Sequence, residues 1–130
     1  MYYKESTKET PIVSLNSDKG VLLIDGNCES ETPDEFFNEI TDWISEYSKN
    51  PQKTTILTIN LGGINISSSK YLLNIIYQLE GLYKEKFKVR IRWVYKNGED
   101  GNYELGKDYD EMVSIPFEFI ETVENFVSKI

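Results

Sequence analysis

Three consecutive serines, Ser67 to Ser69, are the residues of this 130-residue chain whose side chains could most readily carry chemistry. They follow Asn65 and Ile66 and precede Lys70, between an apolar stretch with strand alternation and a stretch with helical spacing. One interpretation is structural, because a helix start leaves about four backbone N–H groups unpaired and a serine hydroxyl can accept from one of them as an N-cap. N-capping accounts for one of the three serines and leaves the other two unexplained.

The second interpretation of the serine run is phosphorylation. A loop that leaves a strand and enters a helix directs unpaired N–H groups and the positive end of the helix dipole at an anion placed there. A phosphate on Ser67 or Ser68 would suit this position, and it adds about −1.5 to −2 charges and three acceptor oxygens. Lys70, in the first helical turn, is then either a solvated charge or the neutralising partner of the phosphate.

The residue types exclude most hydrolytic chemistry. Cys28 is the single cysteine and histidine is absent, so an intramolecular disulfide, a Cys/His zinc site and His-dependent triads are excluded. Glu29 disfavours the thiolate form of its neighbour Cys28, and we interpret this cysteine as structural.

Acidic groups are the remaining candidates for catalysis or metal binding, and they occur at Glu99-Asp100 and at Asp108, Asp110 and Glu111. They lie in polar stretches typical of solvated surfaces, whereas hard cations need several convergent oxygens. We therefore expect no enzyme activity, no metal and no cofactor.

Two further binding modes deserve comparison. The glycines at Gly62-Gly63 and Gly98 suggest a small-molecule or nucleotide-binding module, but neither GxGxxG nor a P-loop is present to support it. Lys88, Arg90 and Arg92 alternate along a predicted strand, where they either keep an open sheet face soluble or form a protein-docking strip.

Composition limits the partners and the compartment. Lys plus Arg number 14 against 22 Asp plus Glu, and the resulting charge of −8 argues against nucleic acid and anionic membranes as partners. No apolar run approaches the roughly 20 residues that span a bilayer, and the first residues lack signal-peptide features, so we expect a cytoplasmic protein. With 39% hydrophobic residues, residues 1–130 should form a single domain in which the polar residues 1–9 are loose.

The elements before the serines are predicted from the spacing of apolar residues. Residues 12–15 and 21–25 alternate around the turn sequence NSDKG and predict an N-terminal hairpin. A helix should follow, because Thr32, Pro33 and Glu35 supply an N-cap, a first-turn proline and a capping box. Its apolar stripe comprises Phe36, Ile40, Trp43, Ile44 and Tyr47.

The remaining elements alternate between strand and helix. Residues 54–61 predict a half-covered strand, and a second amphipathic helix follows the serine run. The stripe of that helix comprises Leu72, Leu73, Ile76, Leu79, Leu82 and Tyr83. Residues 88–95 predict a strand with one wet face, 103–113 a short helix, 115–121 a strand, and 122–130 a short terminal helix.

This order of elements predicts the fold class. Strands alternating with helices require parallel crossovers, and half-polar strands mean that the sheet is covered mainly on one side. We predict a two-layer α/β sandwich in which a mixed sheet of four to five strands carries its helices mainly on one face.

Five short motifs, taken together and in order, resemble the SiaC-type regulatory phosphoproteins. They are TP at residues 10–11, DW at 42–43, NxSSSK at 65–70, LxxLExLY at 76–83 with Ile76 for the first leucine, and IPFEF at 115–119. The similarity extends from about residue 7 to residue 121. It implies a fold like the STAS domains of anti-sigma-factor antagonists.

The resemblance also implies a function. Members of the family have no enzyme activity of their own; a dedicated kinase phosphorylates them and a PP2C-type phosphatase reverses the modification. The unphosphorylated form binds and activates a diguanylate cyclase through the surface around the phosphoacceptor. On this chain that surface would be Asn65, which shapes the loop, Ile66, which makes an apolar contact, and Ser69 and Lys70.

The sequence departs from the family pattern at the acceptor itself. The pattern Asn-Thr-Ser-Ser has a phosphorylated threonine, whereas Asn65 is followed here by Ile66, which has no hydroxyl. The acceptor is then Ser67 or Ser68, or the protein stays permanently unphosphorylated and competent to bind its partner. Gly62-Gly63 replaces bulkier residues and predicts a looser backbone before the acceptor.

Overall fold

The fold is a six-stranded mixed sheet with three helices in a computed structural model that describes residues 1–98 and 100–122. The elements are β1 (Tyr2–Lys4), β2 (Ile12–Asn16), β3 (Val21–Cys28), α1 (Pro33–Tyr47), β4 (Thr54–Ile64), α2 (Ile66–Lys84), β5 (Lys88–Lys96), α3 (Asp100–Met112) and β6 (Phe117–Thr122). Strands are adjacent in chain order; β1, β2 and β3 pair antiparallel, and β3 through β6 pair parallel. The predicted α/β class and mixed sheet are confirmed.

The helices lie on one face because each crossover advances the chain by one strand in the same direction. Right-handed crossovers then place α1, α2 and α3 on the same side. The inward side chains of the sheet are buried and include Val13, Leu15, Leu22, Ile24, Leu57, Ile59, Leu61, Val89, Ile91 and Trp93. Arg90 and Arg92, on the opposite face, are exposed, as the alternation predicted.

The prediction of four to five strands is wrong by one or two. Residues 1–9 were expected to be loose, but Tyr2–Lys4 forms β1 at the edge of the sheet and pairs with Val13–Leu15 of β2. Lys4 also pairs with Glu39 of α1 at 3.3 Å, with its ammonium over the Phe36 ring. These long-range contacts order a stretch whose local composition is polar.

The capping box predicted for α1 is absent. Thr32 occupies the N-cap position, but its side chain makes no capping hydrogen bond. Its backbone N–H instead donates to the Ser30 hydroxyl, a local side-chain bond of the kind that competes with helix caps. Pro33 does open the helix, and the predicted stripe packs inward except for Trp43, which is half-buried.

The second half of the chain follows the predicted order. The elements β4, α2, β5, α3 and β6 all occur, and α3 includes Gly106. The predicted terminal helix spans residues 122–130. Thr122 is instead the last residue of β6, and residues 123–130 are outside the described residues. In the described part of the chain, every helix is too short or too polar to cross a bilayer.

Candidate functional site

The 65–70 segment lies at the carboxyl end of β4, the edge of a parallel sheet where ligands commonly bind. β4 ends at Ile64 and α2 begins at Ile66, with Asn65 as the N-cap in an extended conformation. The Asn65 Oδ1 accepts from the Ser68 N–H at 2.8 Å, and its Nδ2 donates to the Ser30 carbonyl at 2.9 Å. Asn65 therefore fixes the loop, as expected.

The expectation that a serine caps α2 is wrong, because the helix starts before the serines. Asn65 is the cap, so Ser67, Ser68 and Ser69 all lie in the first turn. The Ser69 hydroxyl donates back to the Ile66 carbonyl at 2.6 Å. Asparagine is among the best N-cap residues, and it was the available signal for this boundary.

Ile66 and Ser67 form the exposed front of the first turn. Ile66 is 79% exposed, more than any other large apolar side chain in the described part of the chain. Ser67 and Lys70 are exposed beside it. An isoleucine held in water at a rigid helix start is typical of a contact surface, because burying it in a partner would gain about 1.5–3 kcal/mol.

Ser68 has the opposite environment from Ser67. It is fully buried, and its Oγ has no hydrogen-bond partner of regular geometry in the described residues. It lies beside the Cys28 thiol, whose pKa burial raises to about 11, against a smaller lowering by the Ser68 hydroxyl. Cys28 is therefore a protonated, buried thiol, which agrees with its structural interpretation.

The strand β3 supports the segment from one side. A bulge at Gly26–Cys28 turns Asn27 toward β4, and its Oδ1 accepts from the Gly63 N–H at 3.0 Å. A Cβ on Gly62 would lie 2.1 Å from that same oxygen. The two glycines therefore do not loosen the backbone as expected, because they continue β4, where Gly62 makes room for Asn27 and Gly63 for Glu29.

The helix α3 supports the segment from the other side. The Tyr109 hydroxyl donates to the Ser69 carbonyl at 2.5 Å, and burial raises the tyrosine pKa, so the phenol stays a donor. The Asn102 Nδ2 donates to the carbonyls of Leu61 and Gly62 at 3.1 and 3.2 Å. Both ends of the β4–α2 connection are thus bonded to α3.

A groove runs between the first turn of α2 and the start of α3. Its lining comprises Ile64, Asn65, Ile66, Ser69, Gly101, Asn102 and Leu105. Asn27, Asn102 and Tyr109 carry no local sequence signal, because their hydrogen bonds to the end of β4 and the start of α2 join residues 36 to 41 positions apart.

The other candidate sites do not converge. Asp108, Asp110 and Glu111 lie along α3, and the described residues contain no group of three or more potential metal ligands. Glu99 is outside the described residues. Lys88, at the start of β5, pairs in register with Thr54, at the end of the sheet opposite the 65–70 segment.

Comparison with known proteins bears directly on this arrangement. Residues 4–122 match the profile of the SiaC family regulatory phosphoproteins, which is most of the chain and includes every element of the site. The chain belongs to the SiaC family. The resemblance drawn from the five motifs is therefore confirmed.

Individual SiaC proteins are similar over nearly the whole chain. A crystal structure of the diguanylate cyclase SiaD in complex with its activator SiaC, from Pseudomonas aeruginosa, matches with a TM-score of 0.88 and 25% identity over 94% of this chain and 100% of that chain. Apo-SiaC from the same organism matches with a TM-score of 0.84 and 26% identity, covering 92% and 97% of the two chains. An uncharacterized protein of P. aeruginosa is 28% identical over 85% of this chain and 88% of its own length.

Proposed function

We propose that this protein binds and activates a diguanylate cyclase and that the 65–70 segment is its contact surface. The observation that carries the proposal is the 79% exposure of Ile66 at a helix start held rigidly by Asn65. The complex of SiaC with SiaD supports the class of partner. Asn65 shapes the loop, Ile66 supplies the apolar contact, and Ser69 and Lys70 complete the surface.

Phosphorylation of Ser67 would control this contact. Ser67 is exposed and adjacent to Ile66, whereas Ser68 is buried and a kinase would have to displace the first turn to reach it. A phosphate on Ser67 would lie at the amino end of α2, where the helix dipole favours an anion, with Lys70 one turn away. A partner that buries Ile66 would have to dehydrate that phosphate, so binding would weaken.

The rest of the proposal follows the family. A dedicated kinase adds the phosphate, a PP2C-type phosphatase removes it, and the protein itself catalyses no reaction. It acts in the cytoplasm as a single domain, with a STAS-like fold that the one-sided helices support. This function requires a surface that contacts the cyclase and a residue that accepts the phosphate, and it requires no catalytic residues.

The test is a calorimetric titration of diguanylate cyclases from the source organism with wild-type protein, Ser67→Asp and Ser67→Asn. Asparagine is the matched control because it has nearly the shape of aspartate without the charge. We expect Ser67→Asp to weaken binding at least about tenfold, which is 1.4 kcal/mol, and Ser67→Asn to weaken it less. Equal affinities for the three proteins would exclude Ser67 as the control point.

Phosphosite mapping on protein from its native cells separates the remaining alternatives. Phosphate on Ser67 supports the proposal, and phosphate on Ser68 moves the acceptor by one residue. An unmodified tryptic peptide across growth conditions would mean a permanently unphosphorylated, partner-binding protein. Failure of every cyclase to bind wild-type protein would overturn the proposed function itself.

A further inference from the structure

The first turn of α2 depends on another element for its position. The Ser68 hydroxyl is buried and, within the described residues, makes no hydrogen bond of regular geometry, so it does not tie the turn to another element. The Asn65 side chain anchors the start of the turn to Ser30. The far end of the turn, at the Ser69 carbonyl, is bonded to Tyr109 of α3.

The helix α3 is well placed to hold this turn because it is itself fixed on the sheet. The Trp93 indole N–H donates to the Asn102 carbonyl at 2.9 Å, and the Tyr109 ring packs edge-on against Trp93 at 5.7 Å between centroids. Gly106 permits this contact, since a Cβ there would lie 2.5 Å from the indole nitrogen. A chain of bonds therefore runs from β5 through α3 to the 65–70 segment.

We propose that α3 positions the 65–70 segment, with Tyr109 and Asn102 as the positioning residues that set how tightly it is held. This inference rests on the proposed function for its effect on partner binding. A segment held in its binding geometry loses less conformational freedom on association, so a firmer hold gives higher affinity. The Tyr109 bond to Ser69 and the two Asn102 bonds to β4 fix both sides of the connection.

The experiment compares Tyr109→Phe with Tyr103→Phe, both on α3. The first removes the hydroxyl that reaches Ser69 and keeps the ring against Trp93. The second is a matched control, because the Tyr103 ring packs on Tyr95 and Phe119 and, within the described residues, makes no hydrogen bond to the 65–70 segment. Amide hydrogen exchange of residues 66–71 and cyclase affinity are measured for each protein.

We expect Tyr109→Phe to speed exchange in the first turn of α2 and to weaken cyclase binding, each by about 2- to 12-fold, the range that one typical hydrogen bond supplies. The control should leave both unchanged. Asn102→Ala is a second variant, and it should act in the same direction because it removes both side-chain bonds to β4 while the backbone bond to Trp93 survives. Exchange rates at the wild-type level in both variants would overturn the positioning role.

The two readouts separate this inference from the proposed function. Hydrogen exchange requires no partner, so it tests the hold of α3 on α2 by itself. Suppose that the variants exchange faster but that no form of the protein, wild type included, binds a cyclase. The positioning role of α3 would then stand, and the proposal that the partner is a diguanylate cyclase would be rejected. Faster exchange with undiminished cyclase affinity would reject the effect of α3 on binding.

Discussion

At the residue scale, the adjacent serines Ser67 and Ser68 lie in contrasting environments within one helical turn. Successive residues on a helix point about 100° apart, so one step along α2 moves the side chain from solvent into the core. Ser67 is exposed and Ser68 is fully buried against Cys28. Of the two candidate phosphoacceptors, Ser67 is therefore the one that solvent can reach.

Replacing Ser68 by alanine should stabilise the protein. Among the residues that the structure describes, the buried hydroxyl has no hydrogen-bond partner of regular geometry, and an unsatisfied buried group costs about 1–3 kcal/mol. Alanine also has a higher helix propensity than serine. We expect the free energy of unfolding in urea to rise by about 1 kcal/mol and the melting temperature by about 4 °C.

Ser67→Ala is the control for this effect. Because Ser67 is exposed, its hydroxyl is hydrated in the folded and unfolded states, and the change should be within about 0.5 kcal/mol. A Ser68→Ala variant less stable than wild type would show instead that the contact with the Cys28 thiol is favourable.

At the element scale, α3 depends on a glycine inside its own length. Gly106→Ala should destabilise the protein by about 2 kcal/mol, because a Cβ would lie 2.5 Å from the Trp93 Nε1 and 2.7 Å from two ring carbons. Trp93 is 1% exposed and cannot move aside without disturbing the core. Urea unfolding measures the loss.

Gly81→Ala in α2 is the matched control. In the described part of the chain, no heavy atom outside the helix's own backbone and the two neighbouring residues lies within 4 Å of a Cβ built at Gly81, so we expect only helix propensity to change. We expect this variant to gain up to about 1 kcal/mol. A gain of the same size from Gly106→Ala would mean that Trp93 does not restrict α3.

The sequence predicted the elements whose own residues form an apolar stripe or face. Apolar periodicity located α1, α2 and strands β2 to β5, because those elements bury one stripe or one face in the core. It could not locate β1, whose strand conformation depends on pairing with β2. The support that Asn27, Asn102 and Tyr109 give the 65–70 segment was equally invisible, since it comes from tertiary hydrogen bonds.

Local signals also failed where two of them competed. Thr32 and Glu35 have capping-box spacing, yet the Ser30 hydroxyl bonds the Thr32 N–H instead. Gly62-Gly63 has the composition of a chain break, yet the side chains of Asn27 and Glu29 lie against these glycines and β4 continues through them. The sequence did locate the strand-to-helix connection at residues 65–70, and the structure supplied the orientation of each side chain.

At the scale of the whole molecule, Lys88 and Arg90 on the open sheet face lie toward the end of the sheet opposite the 65–70 segment, whereas Arg92 pairs in register with Thr58 near the middle of β4 and forms an ion pair with Glu118. Lys88 pairs in register with Thr54, ten strand residues before Ile64, which is about 30 Å at 3.3 Å per residue. Charges so far apart are screened at physiological ionic strength, where the Debye length is about 8 Å.

Reversing these charges should therefore leave partner binding unchanged. We expect the double variant Lys88→Glu with Arg90→Glu to bind the cyclase within about twofold of wild type and to keep its stability within about 1 kcal/mol, since both side chains are exposed. Titration and urea unfolding measure the two quantities. A large loss of affinity at unchanged stability would make the open face of the sheet a docking strip.

The strand order β1 to β6 has a consequence for biosynthesis. Each strand pairs with the one made just before it, so the sheet can grow from one edge as the chain leaves the ribosome. The serine run emerges midway, but Asn102 emerges 33 residues after Ser69 and Tyr109 emerges 40 residues after it. We expect a nascent chain to have most of its sheet before α3 can bond to the 65–70 segment, so the proposed contact surface is among the last parts of the fold to be completed.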